Sequence, residues 1–241
     1  MCNNGGKGLL ERIKKILPYY AFIPLITCFM WNNIIYTGTR IINGDLRHYD
    51  MTTAFDKSIP VIPAFIVVYF GCFAFWGMFY IANMRVGIKE CAKFATFDLI
   101  TRTVCAVLFI AIPTHNIRPD ICGNDFFSWG LRYLYVIDAA DNLFPSIHCL
   151  VSWNCFVGIR GLRCYKRKYK ILACVMAILV FMSTLVTRQH VIADVISAVI
   201  ISEVCWWLVN HSKCYIWVWK VFHRINGRLF AMYGKRKRDV Y

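Results

Sequence analysis

ILACVMAILVFMSTLVTRQHVIADVISAVIISEVCWWLV, residues 171–209, contains two apolar runs separated by a short polar break. Each run approaches the ~20 residues needed to cross the hydrocarbon core of a bilayer. The break carries Arg188, His190 and, four residues on, Asp194. That spacing predicts one face of a helix. A carboxylate hydrogen-bonded to one imidazole nitrogen fixes the tautomer and leaves the other nitrogen nucleophilic. It also stabilises the imidazolium that forms after attack. The stretch therefore predicts two membrane spans meeting at an oriented histidine.

Outward from it, the same apolar pattern recurs. Six segments are expected to span, at roughly 17–36, 59–82, 94–113, 143–159, 171–187 and 189–209, giving an all-α integral membrane bundle. The chain is 59% hydrophobic, above the roughly 45–50% of soluble domains. Its charge is +15, from 28 Lys and Arg against 13 Asp and Glu. The basic residues sit in the connections, with no aromatic-interleaved basic groove, which points to topology and anionic headgroups and away from nucleic acid. Connections 37–58 and 114–142 balance bases with acids. Connection 83–93 is basic, connection 160–170 has six Lys or Arg and no acid, and the tail has eight against one Asp. Lys/Arg excess marks the cytoplasmic side, so both termini are expected inside and connections one, three and five outside. Three parts follow: a basic arm at 1–16, a six-span membrane domain at 17–210, and a basic, aromatic tail at 211–241. The first apolar block has no small-x-small cleavage pattern and is expected to be retained as a span.

The tail 214–233, CYIWVWKVFHRINGRLFAMY, suits an amphipathic helix in the cytoplasmic interface, with Lys235-Arg236-Lys237-Arg238 on anionic lipid; a solvated basic end suits it equally. The twelve cysteines show no C-x-x-C and no zinc spacing, so neither a disulfide framework nor a zinc site is expected.

With this topology, His148, His190 and Arg118 reach one membrane depth at the outer face. His148 closes F-P-S-I-H at 144–148. Pro145 suits a first helical turn and Asn142 or Asp141 a cap. First-turn amides and the Ser146 hydroxyl suit an anion such as phosphate, and His148 suits protonation of a leaving alkoxide. Arg118, and Arg188 from the polar break, suit phosphate oxygens. Each of these residues, standing alone, also suits an ordinary helix end or membrane interface. Asp98 and Arg102, four apart, are expected to pair structurally; Glu203 is an intramembrane acid with no assigned role.

Together these residues resemble the type 2 phosphatidic acid phosphatase superfamily, a family of membrane lipid phosphatases and phosphotransferases. The resemblance rests on Ser183-Thr184, His190 and Asp194 at the family's spacing, on Pro145-Ser146-Ile147-His148, and on Arg118-Pro119. It implies that His190 attacks phosphorus to form a phosphohistidine, that Asp194 orients it, and that His148 protonates the leaving group and then activates the acceptor. It implies that Arg118 and the Ser146 region hold phosphate oxygens, with Arg188 as the nearest substitute cation and Arg132 as a weaker one, and that no metal or cofactor is required. The sequence departs from the family pattern at Ala111 in place of lysine, Thr184 in place of arginine and Ile147 in place of glycine. The P-S-hydrophobic-H form, with Arg188 two residues before His190, looks more like the branch containing inositol phosphorylceramide synthases and their bacterial relatives.

The leading expectation is a lipid phosphatase acting on a phosphomonoester or diphosphate at the outer leaflet, in a bacterial plasma membrane. Its substrate partner is a lipid phosphate in the membrane, with no nucleic acid partner. The alternatives are a phosphotransferase with an alcohol acceptor and, in a different class, a transporter or scaffold retaining the fold, for which Asp98, Arg102 and Glu203 would be the suited features. Neither the lipid nor the oligomeric state follows from the sequence.

Overall fold

The structure is a computed structural model describing residues 16–44 and 46–238, with side chains to residue 228. The basic arm before residue 16 and the Lys235–Arg238 side chains lie outside that description. The chain forms α1 (Tyr19–Asn43), β1 (Tyr49–Asp50), α2 (Ala54–Ser58), a 3-10 turn at Pro63–Phe65, α3 (Ile66–Met84) and α4 (Ile88–Ala111). It continues through β2 (Thr114–His115), α5 (Phe126–Ile137), α6 (Ile147–Arg160), α7 (Arg167–Val186), α8 (Ile192–His211) and α9 (Cys214–Arg238).

Among the described residues, four stretches, Pro63–Met84, Ile88–Ala111, Arg167–Val186 and Ile192–His211, are long and apolar enough to cross a membrane. This is fewer than the six expected. Helix α1 has the length, at 25 residues, but Asn32, Asn33, Thr37, Thr39 and Arg40 dilute its apolar run. Several of these residues face protein: Asn32 accepts from Arg102, Thr39 from Asn142, and Arg40 donates to Asp141. Helix α6 has only 14 residues, a rise of about 21 Å. It packs on α3, α4, α7 and α8, and ten of its residues are buried.

Side-chain size is distributed as a lipid environment demands. Along α7, Ile171, Val175, Ile178 and Met182 point outward at helical spacing, while Ala173, Ala177 and Val180 face in. Along α8, Ile196, Ile200, Val204 and Trp207 are exposed, and Ala198, Ser202 and Cys205 are buried. Large apolar residues outside and small ones between helices are what an apolar solvent selects, because packing rather than apolar burial then holds helices together. The four apolar helices are thus compatible with an integral membrane protein.

Each connection at the α1 C-terminus, α3 N-terminus, α4 C-terminus, α6 N-terminus and α7–α8 junction lies at one end of the bundle. Connections 83–93 and 160–170 and the start of α9 lie at the other. At the first end β1 and β2 pair in parallel, Tyr49 opposite Thr114 and Asp50 opposite His115, tying connection one to connection three. Connection three also contains α5, a helix that its mixed charge and short apolar run do not announce. Asp125 caps α5, and Leu131 and Leu134 pack below it, while Trp129 and Tyr133 stack on its exposed face at 5.7 Å. At the other end α9 lies against α4 and α1, burying Phe222 and joining Asn226 to the Tyr20 carbonyl.

Inside the bundle, Asp98, Arg102 and Glu203 each find polar partners. Asp98 accepts from Arg102 Nε at 2.8 Å and from the Tyr80 hydroxyl, and Asn154 donates to Asp98 at 3.3 Å. Arg102 also donates to Tyr80 Oη at 2.9 Å and to Asn32, and Ser202 donates to Asn154 at 2.7 Å. This one network joins α1, α3, α4, α6 and α8, in line with the structural pairing expected of Asp98 and Arg102. Glu203, unassigned from sequence, receives Arg160 through two bonds of 2.6 Å and Trp153 at 2.9 Å, latching α8 to α6. Asp98→Ala strands a buried guanidinium, so thermal unfolding in detergent should show a loss of ~3–5 kcal/mol. Asp98→Leu combined with Arg102→Met should recover much of that loss.

Candidate functional site

The site is built at the turn between α7 and α8. Helix α7 ends because Gln189 N and His190 N both donate to the Thr184 carbonyl, at 2.9 and 3.1 Å, while Arg188 takes a left-handed φ of 54°. His190 therefore lies just before α8, and its pairing with Asp194 comes from a capping turn, not from one helical face as the spacing predicted. Asp194, in the first turn of α8, accepts from Val191 N at 3.0 Å and from His190 Nδ1 at 3.1 Å. The two side chains are 7% and 1% exposed. Nδ1 is thereby committed to the carboxylate, and Nε2 is left to react.

His148 is the second residue of α6. The cap of that helix is Ser146, whose Oγ accepts from Cys149 N at 3.2 Å. The expected caps are engaged elsewhere: Asp141 pairs with Arg40 at 3.1 Å, and Asn142 bridges Thr39 and Asn43 at 2.9 Å each. Asp194 reaches this helix too, because its carbonyl accepts from Ser146 N at 3.2 Å. The His148 ring lies 6.0 Å from that of His190 and sits among Tyr69, Trp76 and Phe73 at 4.5, 5.5 and 6.4 Å.

Two cavities meet at His190. One, of about 230 Å³, is mainly aromatic and lined by Tyr36, Tyr69, Phe73, Trp76, Asp138 and His148. The other, of about 360 Å³, is polar and lined by Asp50, Thr52, Lys57, Arg118 and Arg188. Arg118 donates to the Asp138 and Tyr135 carbonyls at 2.5 and 3.3 Å and to Gln189 Oε1 at 2.7 Å. It thus clamps connection three to the residue before His190, and its buried Nε has no partner among the described residues. Arg188 is turned away to the backbone of connection one, where it donates to the carbonyls of Asp56, Lys57 (3.0 Å) and Ile59 (2.5 Å). Arg132, the weaker substitute cation, is held by its own loop at the Ile121 and Gly123 carbonyls. Thr184 is buried within α7 and donates to the Phe181 carbonyl at 2.8 Å, so no cation replaces the family arginine there.

The structure brings together His190, Asp194, His148 and Arg118, with Ser146 fixing the start of α6 through its hydroxyl. It adds residues not singled out from the sequence. Asp56 accepts from Ile192 N at 2.9 Å, securing the start of α8. Burial pushes the Asp56 carboxyl up, but bonds from Thr53 and Ile192 and the Arg188 charge outweigh it, leaving it below the usual carboxylate range. Asp138 accepts from Tyr36 at 2.7 Å and from Tyr69 at 2.8 Å. Lys57 joins the polar cavity from connection one. The only sequence signal for these positions was their charge, which many other connection residues share. An imidazole oriented by a carboxylate, a second imidazole nearby and a basic cavity beside the first suit nucleophilic attack on an anionic ester.

A family model described as the PAP2 superfamily matches residues 63–217, more than half of the chain. Comparison with curated proteins and with solved structures returned no match. The matched range contains Arg118, Ser146, His148, His190 and Asp194; it excludes Tyr36, Asp56 and Lys57. Asp194→Asn keeps the shape but loses the charge that holds His190, so turnover of a phosphoester should fall about 10³–10⁴-fold with KM little changed. Steady-state kinetics on the purified protein check this split.

Proposed function

The chain belongs to the PAP2 superfamily, whose members are generally phosphoric ester hydrolases or phosphotransferases, and we propose that it hydrolyses a lipid phosphomonoester or diphosphate through a phosphohistidine on His190. The observation that carries the reading is the His190 imidazole, held at Nδ1 by a buried carboxylate 3.1 Å away and placed 6.0 Å, centroid to centroid, from a second imidazole.

In the first step His190 Nε2 attacks phosphorus. The bond to the leaving oxygen breaks, and His148 supplies that oxygen with a proton. Asp194 meets the positive charge that develops on His190. In the second step a water attacks the phosphohistidine and gives its proton to His148, and phosphate leaves. Arg118 Nε, Lys57 and the first-turn amides of α6 supply positive charge to the phosphoryl oxygens. Ser146 acts by fixing the start of α6. Arg188 acts by holding connection one against the site.

The lipid character of the substrate is supported by the aromatic cavity on the His148 side. Its Phe70 and Phe73 are also exposed on the outward face of α3, so the cavity adjoins the lipid-facing surface. Charge bias supports the topology: α1 and α6 complete six crossings, both termini are cytoplasmic, and the site end faces outward. The acid-free connection 160–170 and the site lie at opposite ends of the bundle, as this orientation requires.

A phosphotransferase is the second reading. A further polar cavity of about 260 Å³, lined by Arg40, Asn43, His48, His115, Asp141 and Asn142, shares Asp141 and Asn142 with the aromatic cavity. An alcohol acceptor fits there next to the phosphoenzyme. Phosphate release from phosphatidate and other lipid phosphates in detergent, with chelator present, tests the first reading. The wild type should release phosphate and His190→Ala should not, while still inserting into the membrane. Transfer to an added alcohol with no free phosphate would favour the second reading.

A further inference from the structure

His148 must gain and lose a proton in each turnover, yet among the described residues no carboxylate touches it as Asp194 touches His190. Its Nδ1 lies 3.4 Å from the Tyr69 hydroxyl, and the two rings lie over one another at 4.5 Å with a 35° tilt. The same hydroxyl lies 2.8 Å from Asp138 Oδ2. Tyr69 is 1% exposed, so this oxygen is met mainly by protein groups.

The direction of each bond follows from donor count. Burial pushes the Asp138 carboxyl up, but the nearby His148, the Tyr36 and Tyr69 hydroxyls and His190 more than offset it, leaving it below the usual range. An ionised carboxylate only accepts. Tyr36 donates to Oδ1 at 2.7 Å, and Tyr69 must give its single proton to Oδ2. The Tyr69 oxygen then has only lone pairs to offer, so a hydrogen bond across this contact requires hydrogen on the facing His148 nitrogen. The Asp138 backbone is fixed as well, because its carbonyl accepts the Arg118 guanidinium that also holds Gln189. The charged or titratable groups facing His148 are Tyr69 from α3, Asp138 after α5 and His190 before α8, with Asp194 behind His190.

We infer that Tyr69 and Asp138 are positioning residues for His148: Asp138 holds the Tyr69 hydroxyl, whose oxygen holds the His148 proton on Nδ1 and leaves Nε2 to exchange protons with the substrate. The inference rests on the reading of His148 as proton donor. Nε2–H goes to the leaving oxygen as the P–O bond breaks and the N–P bond to His190 forms. The neutral ring, still bearing Nδ1–H, then takes a proton at Nε2 from the attacking water. As the N–P bond breaks, its electrons return to His190 and the His148 imidazolium is restored. Asp138 stabilises that imidazolium across Tyr69 without itself changing protonation.

The test compares two leaving groups in single turnover with the full chain. Phosphatidate releases a strongly basic alkoxide that needs a proton, whereas p-nitrophenyl phosphate releases a weakly basic phenolate that does not. Tyr69→Phe, which keeps the ring over His148, and Asp138→Asn should slow phosphatidate cleavage ~10- to 100-fold, part of what a general acid contributes. Release of p-nitrophenol should change by less than about threefold, because proton donation adds little for this leaving group. His148→Ala should show the same selectivity with a larger loss. Equal losses on both substrates, or none on either, would overturn the inference while the parent reading stands. If Asp138→Asn does not fold, Tyr69→Phe carries the comparison by itself. A wild-type protein that cleaves neither substrate, or a His190→Ala variant that still cleaves, overturns the parent reading and this inference with it.

Discussion

Asp194 is the point at which fold and site become the same problem. Its carboxylate holds His190 Nδ1 and Val191 N, and its carbonyl accepts Ser146 N. One residue therefore sets the histidine ring, starts α8 and fixes the beginning of α6, which carries His148. An ionised group shielded from solvent is tolerated only where protein donors replace water. Those donors come from the α7–α8 turn itself, so the requirement to satisfy the carboxylate also orients the imidazole. Asp56 repeats the device from outside by accepting Ile192 N, which brings connection one over the site.

The bundle beneath applies the same rule to charges with no proposed chemistry. Asp98 and Arg102 are satisfied by Tyr80, Asn154 and Asn32, and Glu203 by Arg160 and Trp153. These are interhelical struts in a bundle whose large apolar side chains face outward. They also explain why helices that look too polar or too short to span, α1 and α6, belong to it. Their polar residues meet other helices, and α6 is surrounded by protein along most of its length.

Local spacing made part of this legible. Six apolar segments correspond to α1, α3, α4, α6, α7 and α8, although among the described residues four helices satisfy length and hydropathy. Apolar composition begins the third segment at 94, whereas α4 begins at Ile88 and holds Lys89, Glu90 and Lys93 inside the helix. His190 and Asp194 were legible because one turn of chain holds both. Tyr69 and Asp138 were not, because packing brings them together across 69 residues of sequence, and Tyr69 to His148 across 79. Arg188 shows the converse: its position beside His190 suggested a phosphate ligand, but the left-handed turn sends its guanidinium to the carbonyls of connection one. The absence of family cations at Ala111 and Thr184 was visible in the sequence, whereas Lys57 in the same cavity as His190 required the fold.

The central claim is that His190 carries the phosphoryl group during turnover. Rapid quench of the purified protein with a lipid phosphate labelled at phosphorus, followed by peptide mapping, tests it most directly. A base-stable, acid-labile label is expected on the peptide containing His190, formed and lost at rates that match turnover. Turnover with no labelled protein, or a label on any other residue, would contradict it.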